Sequence, residues 1–141
     1  MFSRRIQRPA SRRGVATVEM AVLLPFLTFI FLVTIDFARV YYQAVVLEDA
    51  VRSGAIYGCQ SPTFAADTTG IQNAVLANAT DLNPAPSVSS TTGTDTNGDP
   101  YLEVTGSWTF KTVSSFPGIP SVTTLTRVVR MRVAPAVPKN S

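Results

Sequence analysis

A long apolar run near the N-terminus constrains this chain more than any other feature. The run extends from Val15 to Ile35 and contains 21 residues. At a rise of about 1.5 Å per residue, a helix of this length matches the ~30 Å hydrocarbon core of a bilayer. Glu19 is the only formally charged side chain in the run. The sequence therefore predicts a transmembrane helix with one carboxylate near its start, and a charge there is costly enough to need a functional reason.

Positive charge is concentrated ahead of the apolar run. Five arginines precede Gly14, and no acidic residue offsets them: Arg4, Arg5, Arg8, Arg12 and Arg13. The rest of the chain has seven basic and nine acidic residues. A nucleic-acid-binding domain carries its basic residues as a patch on the folded part, so we expect no nucleic-acid partner. By the positive-inside rule, the N-terminus stays in the cytoplasm and the chain after Asp36 is exported.

A secretory signal peptide is the alternative interpretation of basic residues followed by an apolar run. Such a peptide has a cleavage site of small residues after the run. Here Asp36, Phe37 and Arg39 follow the run, whereas the small residue, Gly14, stands in front of it. This order favours a retained membrane helix over a cleaved signal.

The segment around this run resembles the TadE-like proteins, pseudopilins of the tight-adherence (Flp-type) branch of type IV pili. The resemblance rests on Arg13-Gly14, the apolar start, Glu19 as fifth residue after the glycine, and Leu24-Pro25 followed by Asp36 and Arg39. It is specific over roughly residues 12–58. It implies that a prepilin peptidase cuts between Gly14 and Val15, so that residues 1–14 form a basic leader. Its implied partners are this peptidase, the major Flp-type pilin, a TadF-like partner, the inner-membrane pilus assembly platform and the lipid bilayer.

Physical chemistry gives a reason for the glycine and for the glutamate. Because Gly14 has no Cβ, the backbone can lie extended in a peptidase cleft. After cleavage, the new amine of Val15 is a cation, and the carboxylate of Glu19, one helical turn away or on an adjacent subunit, can pair with it at low dielectric. The resemblance suggests the pairing between subunits. The alternative is that Glu19 reaches the cytoplasmic headgroups and stabilises the helix N-terminus.

Two further features mark the membrane helix. Pro25 removes one backbone hydrogen bond inside the span and is expected to kink or loosen the helix, either harmlessly or in the service of repacking during assembly. Asp36 and Arg39 have the spacing of an intrahelical ion pair at the point where the helix leaves the membrane.

Helical periodicity continues beyond the membrane. Apolar residues recur at steps of three and four and predict one buried helix face: Phe37, Val40, Ala44, Leu47, Val51 and Ala55. Gly58 is a plausible C-cap. The sequence thus predicts a leader at residues 1–14, a transmembrane and stem helix at 15–58, and an exported domain at 59–141.

The remaining chain predicts a small α+β domain. Asp67 or Thr68 caps a short helix with apolar positions Ile71, Val75, Ala79 and Leu82, and Asn83-Pro84 ends it. Alternating patterns then predict strands near residues 87–92, 101–110 and 122–133. We expect a pilin-like fold, in which the long helix packs against a small antiparallel sheet of three to four strands with one extra short helix.

Few residues could support enzyme chemistry or a metal site. The chain has no histidine, which excludes Ser-His and Cys-His pairs and histidine metal sites. A single cysteine, Cys59, forms no internal disulfide; it is either buried as a small apolar residue or paired with another chain. The segment from Asp95 to Asp99 lacks the EF-hand spacing, and its Asn97-Gly98 pair is typical of a hairpin turn. We expect no enzyme activity, no cofactor and no metal.

Three arginines near the C-terminus, Arg127, Arg130 and Arg132, allow two interpretations. They form either a surface for an anionic partner or a charged strand that resists unwanted pairing.

Two functional hypotheses follow. The first is a TadE-like minor pilin or pseudopilin in the bacterial inner membrane, processed after Gly14 and active in priming or tip assembly of a pilus for surface adhesion. The second is a signal-anchored envelope module whose exported domain binds a ligand or protein partner. Gly14 and Glu19 favour the first, because an anchor needs neither residue.

Overall fold

A single long helix, α1, dominates the N-terminal part of the computed structural model, which describes residues 13–112 and 121–135 of the 141-residue chain. Helix α1 spans Arg13–Gly58 and continues without interruption through Pro25. Of the predicted leader, residues 1–14, only Arg13 and Gly14 lie within the described residues. The chain divides into two compact units between Ile35 and Asp36, and each unit is described separately.

The first unit contains the apolar half of α1. Its side chains are almost all exposed, and its most apolar window has a mean hydropathy of 2.4 with no part buried by protein. Among the described residues, α1 is the one helix long and apolar enough to cross a membrane. Thr28 and Thr34 donate their hydroxyl hydrogens to the carbonyls of Leu24 and Ile30, each at 2.8 Å, so these polar groups need no water. The segment is consistent with a single-pass membrane anchor.

The second unit has an α+β fold, which confirms the predicted class. After α1 come two short helices, α2 (Pro62–Ala66) and α3 (Thr68–Asn78). Three strands follow: β1 (Ser87–Thr94), β2 (Pro100–Lys111) and β3 (Val122–Arg132). They form an antiparallel sheet in the order β1-β2-β3, with pairs such as Ser89 with Thr105 and Thr105 with Val128. The number of strands agrees with the expectation of three to four.

The short helices differ from the prediction of one extra helix. Ser61 caps α2 by accepting a hydrogen bond from the backbone N–H of Phe64 at 3.3 Å, and Pro62 occupies the first turn, where its missing N–H has no cost. Pro62 therefore starts a new helix soon after α1 ends. Asp67 caps α3, as one of the two predicted candidates. The helix ends at Asn78, before Asn83-Pro84.

The hydrophobic core lies between the C-terminal half of α1, α3 and the inner face of the sheet. Its fully buried members include Leu47, Val51, Ile71, Val75, Leu102, Val104 and Phe110. The predicted inner face of β2 is confirmed, because Leu102, Val104, Trp108 and Phe110 are all buried. The placement of Phe37 on the buried face of α1 was wrong. Phe37 is 74% exposed, and the neighbouring Asp36 is 7% exposed instead.

Two glycines allow the elements of the second unit to approach closely. A Cβ added to Gly54 of α1 would overlap Val75 of α3 and crowd the carbonyl of Ile71. A Cβ added to Gly106 of β2 would overlap Val51 of α1. Gly58, at the end of α1, lies next to Leu102 of β2, whereas Arg39, earlier in α1, lies next to Phe110, later in β2. Strand β2 therefore runs along α1 in the opposite direction. Glycine is therefore required where α1 meets both of its neighbours.

A five-residue loop joins β1 to β2. The carbonyl of Asp95 accepts from the N–H of Gly98 at 3.1 Å, and its Oδ1 accepts from the N–H groups of Asn97 and Asp99 at 2.9 Å. Gly98 has φ of 82°, whereas no described non-glycine residue has positive φ. The predicted turn is present, but as a longer loop with glycine in the left-handed region rather than a two-residue Asn97-Gly98 turn. The Asp95 carboxylate holds the turn together.

Candidate functional site

Gly14 is the second residue of α1, and the described fold gives no steric reason for glycine there. A Cβ added at Gly14 would meet nothing within 4 Å, and its φ is not positive. Gly54, Gly58, Gly70, Gly93 and Gly106 all have neighbours that a Cβ would strike, and Gly98 is required by its φ. Gly14 is thus the only described glycine with neither kind of requirement. Its small size therefore has no packing role among the residues that the structure describes.

Val15 and Glu19 lie one helical turn apart on the same side of α1. Val15 is 63% exposed, and the side chain of Glu19 is also exposed. Residues four positions apart in a helix are neighbours, so the spacing places the Glu19 carboxylate beside the first turn that would follow a cut after Gly14. Both side chains are available to a second molecule.

Pro25 lies in the middle of the exposed apolar half of α1. The helix type does not change around it. The nearby hydroxyl of Thr28 donates to the carbonyl of Leu24, the residue before the proline. The carbonyl that loses its helical partner at Pro25 is that of Ala21, four positions earlier, so the Thr28 bond does not replace the missing one. The kink expected from the sequence stays a prediction.

Asp36 and Arg39 begin the second unit. Arg39 Nη1 lies 3.5 Å from Asp36 Oδ1, at the spacing proposed from the sequence. The guanidinium also stands 5.4 Å from the ring centroid of Phe110 in β2, a cation–π distance. Asp36 is buried and Arg39 is half-buried, so this pair joins the start of the domain to the end of β2 rather than lying free in solvent.

A polar groove beside Arg39 was missed by the sequence analysis. Its volume is about 340 Å³, and its walls include Arg39, Gln43, Asp81, Trp108, Phe110 and Lys111. Tyr42 donates its hydroxyl hydrogen to Asp81 Oδ2 at 3.0 Å, and this bond raises the pKa of Tyr42. The residues come from α1, the loop after α3, and β2. Because they are far apart in sequence, only the packing of these elements reveals the groove.

The three C-terminal arginines are engaged by acidic residues of the same unit. Arg130 donates two hydrogen bonds to Glu103 Oε2, at 3.0 and 2.8 Å, which raises the pKa of its guanidinium, and it stacks 4.2 Å from the Tyr101 ring centroid. Arg132 pairs with Asp99. These pairs favour the interpretation of β3 as a charged strand over that of a surface for an anionic partner.

Arg127 occupies the inner face of β3, at the position paired with Gly106 of β2. Its Nε lies 3.7 Å from Glu48 Oε2 of α1, and Glu48 also lies 3.8 Å from Arg52. The inner face of β3 is only partly covered, so a charged side chain at this position stays hydrated. Arg127 therefore links the third strand to α1.

Cys59 and the acidic residues show no built reactive centre. Cys59 is a free, partly exposed thiol whose Sγ donates to the carbonyl of Ile56 at 3.3 Å. Within residues 13–112 and 121–135, no group of three or more histidine, cysteine or acidic side chains is arranged to hold a metal ion.

The comparison with protein families addresses the segment that starts at Gly14. Residues 14–55 match the family of TadE-like proteins. This match confirms the resemblance predicted from the sequence, over less than a third of the chain. No curated protein and no solved structure matches the chain. The match to TadE-like proteins supports an association of this chain with the Tad pilus in general. It supports other components of that system as partners in the same general sense.

Proposed function

We propose that this chain is a TadE-like minor pilin or pseudopilin, processed by a prepilin peptidase between Gly14 and Val15. The observation that carries the proposal is Gly14, whose missing side chain serves no contact among the described residues. A glycine in a helix is less favourable than alanine by about 1 kcal/mol, so it persists where a role outside the fold needs it. A peptidase cleft that admits only a bare backbone supplies that role. The family match also begins at this residue.

Glu19 supports an assembly role after cleavage. A carboxylate in an apolar helix has a large desolvation cost, and a new cation at Val15 of an adjacent subunit would offset it. The exposed positions of Val15 and Glu19 leave both groups accessible to such a subunit. We infer that this pair sets the register of an incoming pilin.

The second unit favours a minor, priming or tip-located subunit. The segment after α1 and the C-terminal half of that helix together build an α+β domain with a buried core. A domain of this size is bulky for a shaft subunit. In this proposal the N-terminus is cytoplasmic, the domain is exported across the inner membrane, and the role is structural rather than enzymatic. Its partners are the peptidase, the major Flp-type pilin, a TadF-like protein and the assembly platform.

The test is the N-terminal residue of the membrane-extracted protein, determined by intact mass and terminal sequencing. Cells should express the chain with and without the matching prepilin peptidase. A terminus at Val15 only when the peptidase is present is the expected result. A terminus at Met1 in both cells, or a cut beyond Ile35, would overturn the proposal and favour an anchored or secreted binding domain.

A further inference from the structure

Two helices of the described residues cover the inner face of a sheet that has three strands. Helix α1 lies against β2, where a Cβ added to Gly106 would overlap Val51, and α3 contacts β1. Within the described part of the chain, no helix lies over β3 in the same way. The inner apolar side chains of β3 pack against the edge of the core but remain partly exposed: Leu125, Val129 and Met131. The third strand therefore presents an apolar face that a further helix can cover.

One side of α1 continues this apolar face. Glu48 Oε2 lies 3.7 Å from Nε of Arg127, so the side of α1 that carries Glu48 is the side next to β3. Residues at steps of three and four share this side of the helix: Tyr41, Val45, Arg52 and Ile56. Three of them are apolar and open to solvent, with exposed fractions of 68% for Tyr41, 41% for Val45 and 50% for Ile56. We call this side of α1, together with the inner face of β3, the open flank.

The open flank is apolar at both ends and charged in the middle. Tyr41 and Ile56 mark the two ends on α1. Between them, the guanidinium groups of Arg52 and Arg127 lie 3.8 and 3.7 Å from the one carboxylate of Glu48. An occupant of the flank therefore needs apolar side chains at both ends and a further carboxylate in the middle.

The exposed side of α1 itself carries this pattern. Glu48 and the exposed Asp49 place two carboxylates between the apolar residues Val45 and Ile56. A surface that complements itself in this way forms a two-fold interface between identical chains. The charge pattern thus points to a second copy of this chain as the occupant.

Charge also decides the direction of the two helices. If they were antiparallel with their apolar ends matched, Glu48 would face Asp49 of the other copy near the two-fold axis, and these like charges would repel. If they are parallel, each Glu48 can reach Arg52 of the other copy, as charged residues do across parallel helix pairs. Val45 then meets Val45, and Ile56 meets Ile56. The parallel arrangement satisfies both the charged and the apolar residues.

We propose that the open flank is the interface of a parallel homodimer, in which α1 of each copy covers the inner face of β3 of the other. The interface lies within the second unit, and it is independent of cleavage after Gly14.

The test is the oligomeric state of the full chain in detergent, measured by sedimentation equilibrium over a range of protein concentrations. We expect a reversible equilibrium between monomer and dimer. Val45→Glu should raise the dissociation constant at least about tenfold, because the two-fold axis brings two new carboxylates together among apolar groups. The matched control is Val128→Glu on the outer face of β3, where Val128 is 53% exposed, and this change should leave the constant unaltered.

Two results would overturn the proposal. One is a chain that stays monomeric at every concentration. The other is a dimer that persists in Val45→Glu with its dissociation constant unchanged, when near-ultraviolet circular dichroism shows that the variant is folded. That result would assign the association to the apolar half of α1 instead.

Cysteine cross-linking tests the direction of the helices. In a chain with Cys59→Ser, Tyr41→Cys should form a disulfide-linked dimer with copper phenanthroline as oxidant, because a parallel pair places both thiols at the same level. Tyr42→Cys changes the same residue type at the next position, where Tyr42 contacts Asp81 on another side of α1, and it should cross-link far less. Equal cross-linking at the two positions would contradict the assignment. So would disulfides between Tyr41→Cys and Ile56→Cys chains in a mixture in which Tyr41→Cys does not link to itself, since these indicate antiparallel helices.

Discussion

Tyr57, in the last turn of α1, donates its hydroxyl hydrogen to Oδ2 of Asp67, the N-cap residue of α3, at 2.9 Å. The other carboxylate oxygen, Oδ1, accepts from the backbone N–H of Gly70, also at 2.9 Å. A Cβ on Gly70 would overlap both the Tyr57 hydroxyl and the Asp67 carboxylate. One carboxylate thus caps α3 and ties it to the end of α1.

Acid should weaken the domain through Asp67. The N–H of Gly70, and next the hydroxyl of Tyr57, hold the pKa of Asp67 below its ordinary value. A carboxylate with a lowered folded-state pKa adds stability above its unfolded pKa, about 3.9, and loses it as pH falls through the folded value. We expect the denaturation midpoint of the full chain in detergent to decrease when the pH is lowered below about 4. In Asp67→Asn this decline should be smaller.

The control for this prediction is Asp49→Asn, which alters an exposed acid of α1. It should retain the full acid dependence. Tyr57→Phe should destabilise the chain at neutral pH, and combining it with Asp67→Asn should add little. Identical acid dependence in Asp67→Asn and the unmodified chain would contradict the assignment.

Two glycines of α1 should respond oppositely to alanine. Gly54→Ala places a methyl group against Val75 and should lower the free energy of unfolding by about 1–3 kcal/mol through overpacking. Gly14→Ala meets open space and should raise the free energy of unfolding by up to about 1 kcal/mol, because alanine is the better helix former. Urea denaturation followed by near-ultraviolet circular dichroism measures both. A stability loss in Gly14→Ala as large as that in Gly54→Ala would remove the argument that Gly14 serves a partner.

Gly14 and Glu19 should separate cleavage from assembly. Gly14→Val should accumulate uncut protein in cells with the peptidase, because a branched side chain fills the space that the backbone needs in the cleft. Glu19→Ala should be cut at nearly the normal rate but give few or no pili, since the amine of Val15 loses its partner. Immunoblots report cleavage and electron microscopy counts pili. Normal piliation by Glu19→Ala would rule out the pairing.

The link between Glu48 and Arg127 should contribute only modestly. Both side chains are substantially exposed and lie 3.7 Å apart, so a coupling energy of about 0.2–1 kcal/mol is expected. A double-mutant cycle with Glu48→Gln and Arg127→Gln measures it, and 1 M salt should reduce it. The parallel cycle with Arg52→Gln distinguishes the contact with β3 from the intrahelical pair. A salt-independent coupling would indicate a buried pair instead.

The sequence predicted the elements whose patterns are local. Alternation identified β2 and its buried face, and steps of three and four identified the stretch of α1 from Ala44 to Ala55. The prediction that Phe37 is buried was wrong because periodicity shows which residues share a helix face but not what covers that face. At the edge of a bilayer, lipid replaces a protein core, so an aromatic residue there needs no burial in the domain.

The contacts that depend on tertiary packing were beyond sequence reasoning. Gly54 and Gly106 look like weak points of a helix and a strand until Val75 and Val51 are placed against them. The Tyr57–Asp67 bond and the groove likewise join residues whose distance in space no local pattern encodes. The ion pair between Arg127 and Glu48 likewise joins two elements, β3 and α1.

The position of α1 in the chain also fixes the order in which the parts of the core are synthesised. The face with Leu47 and Val51 is synthesised before all of β2 and β3, whose side chains cover it. Until those strands have been synthesised, this apolar surface stays exposed to solvent or to other proteins. A chain truncated before β2 would leave this surface permanently uncovered, and we expect such a chain to aggregate.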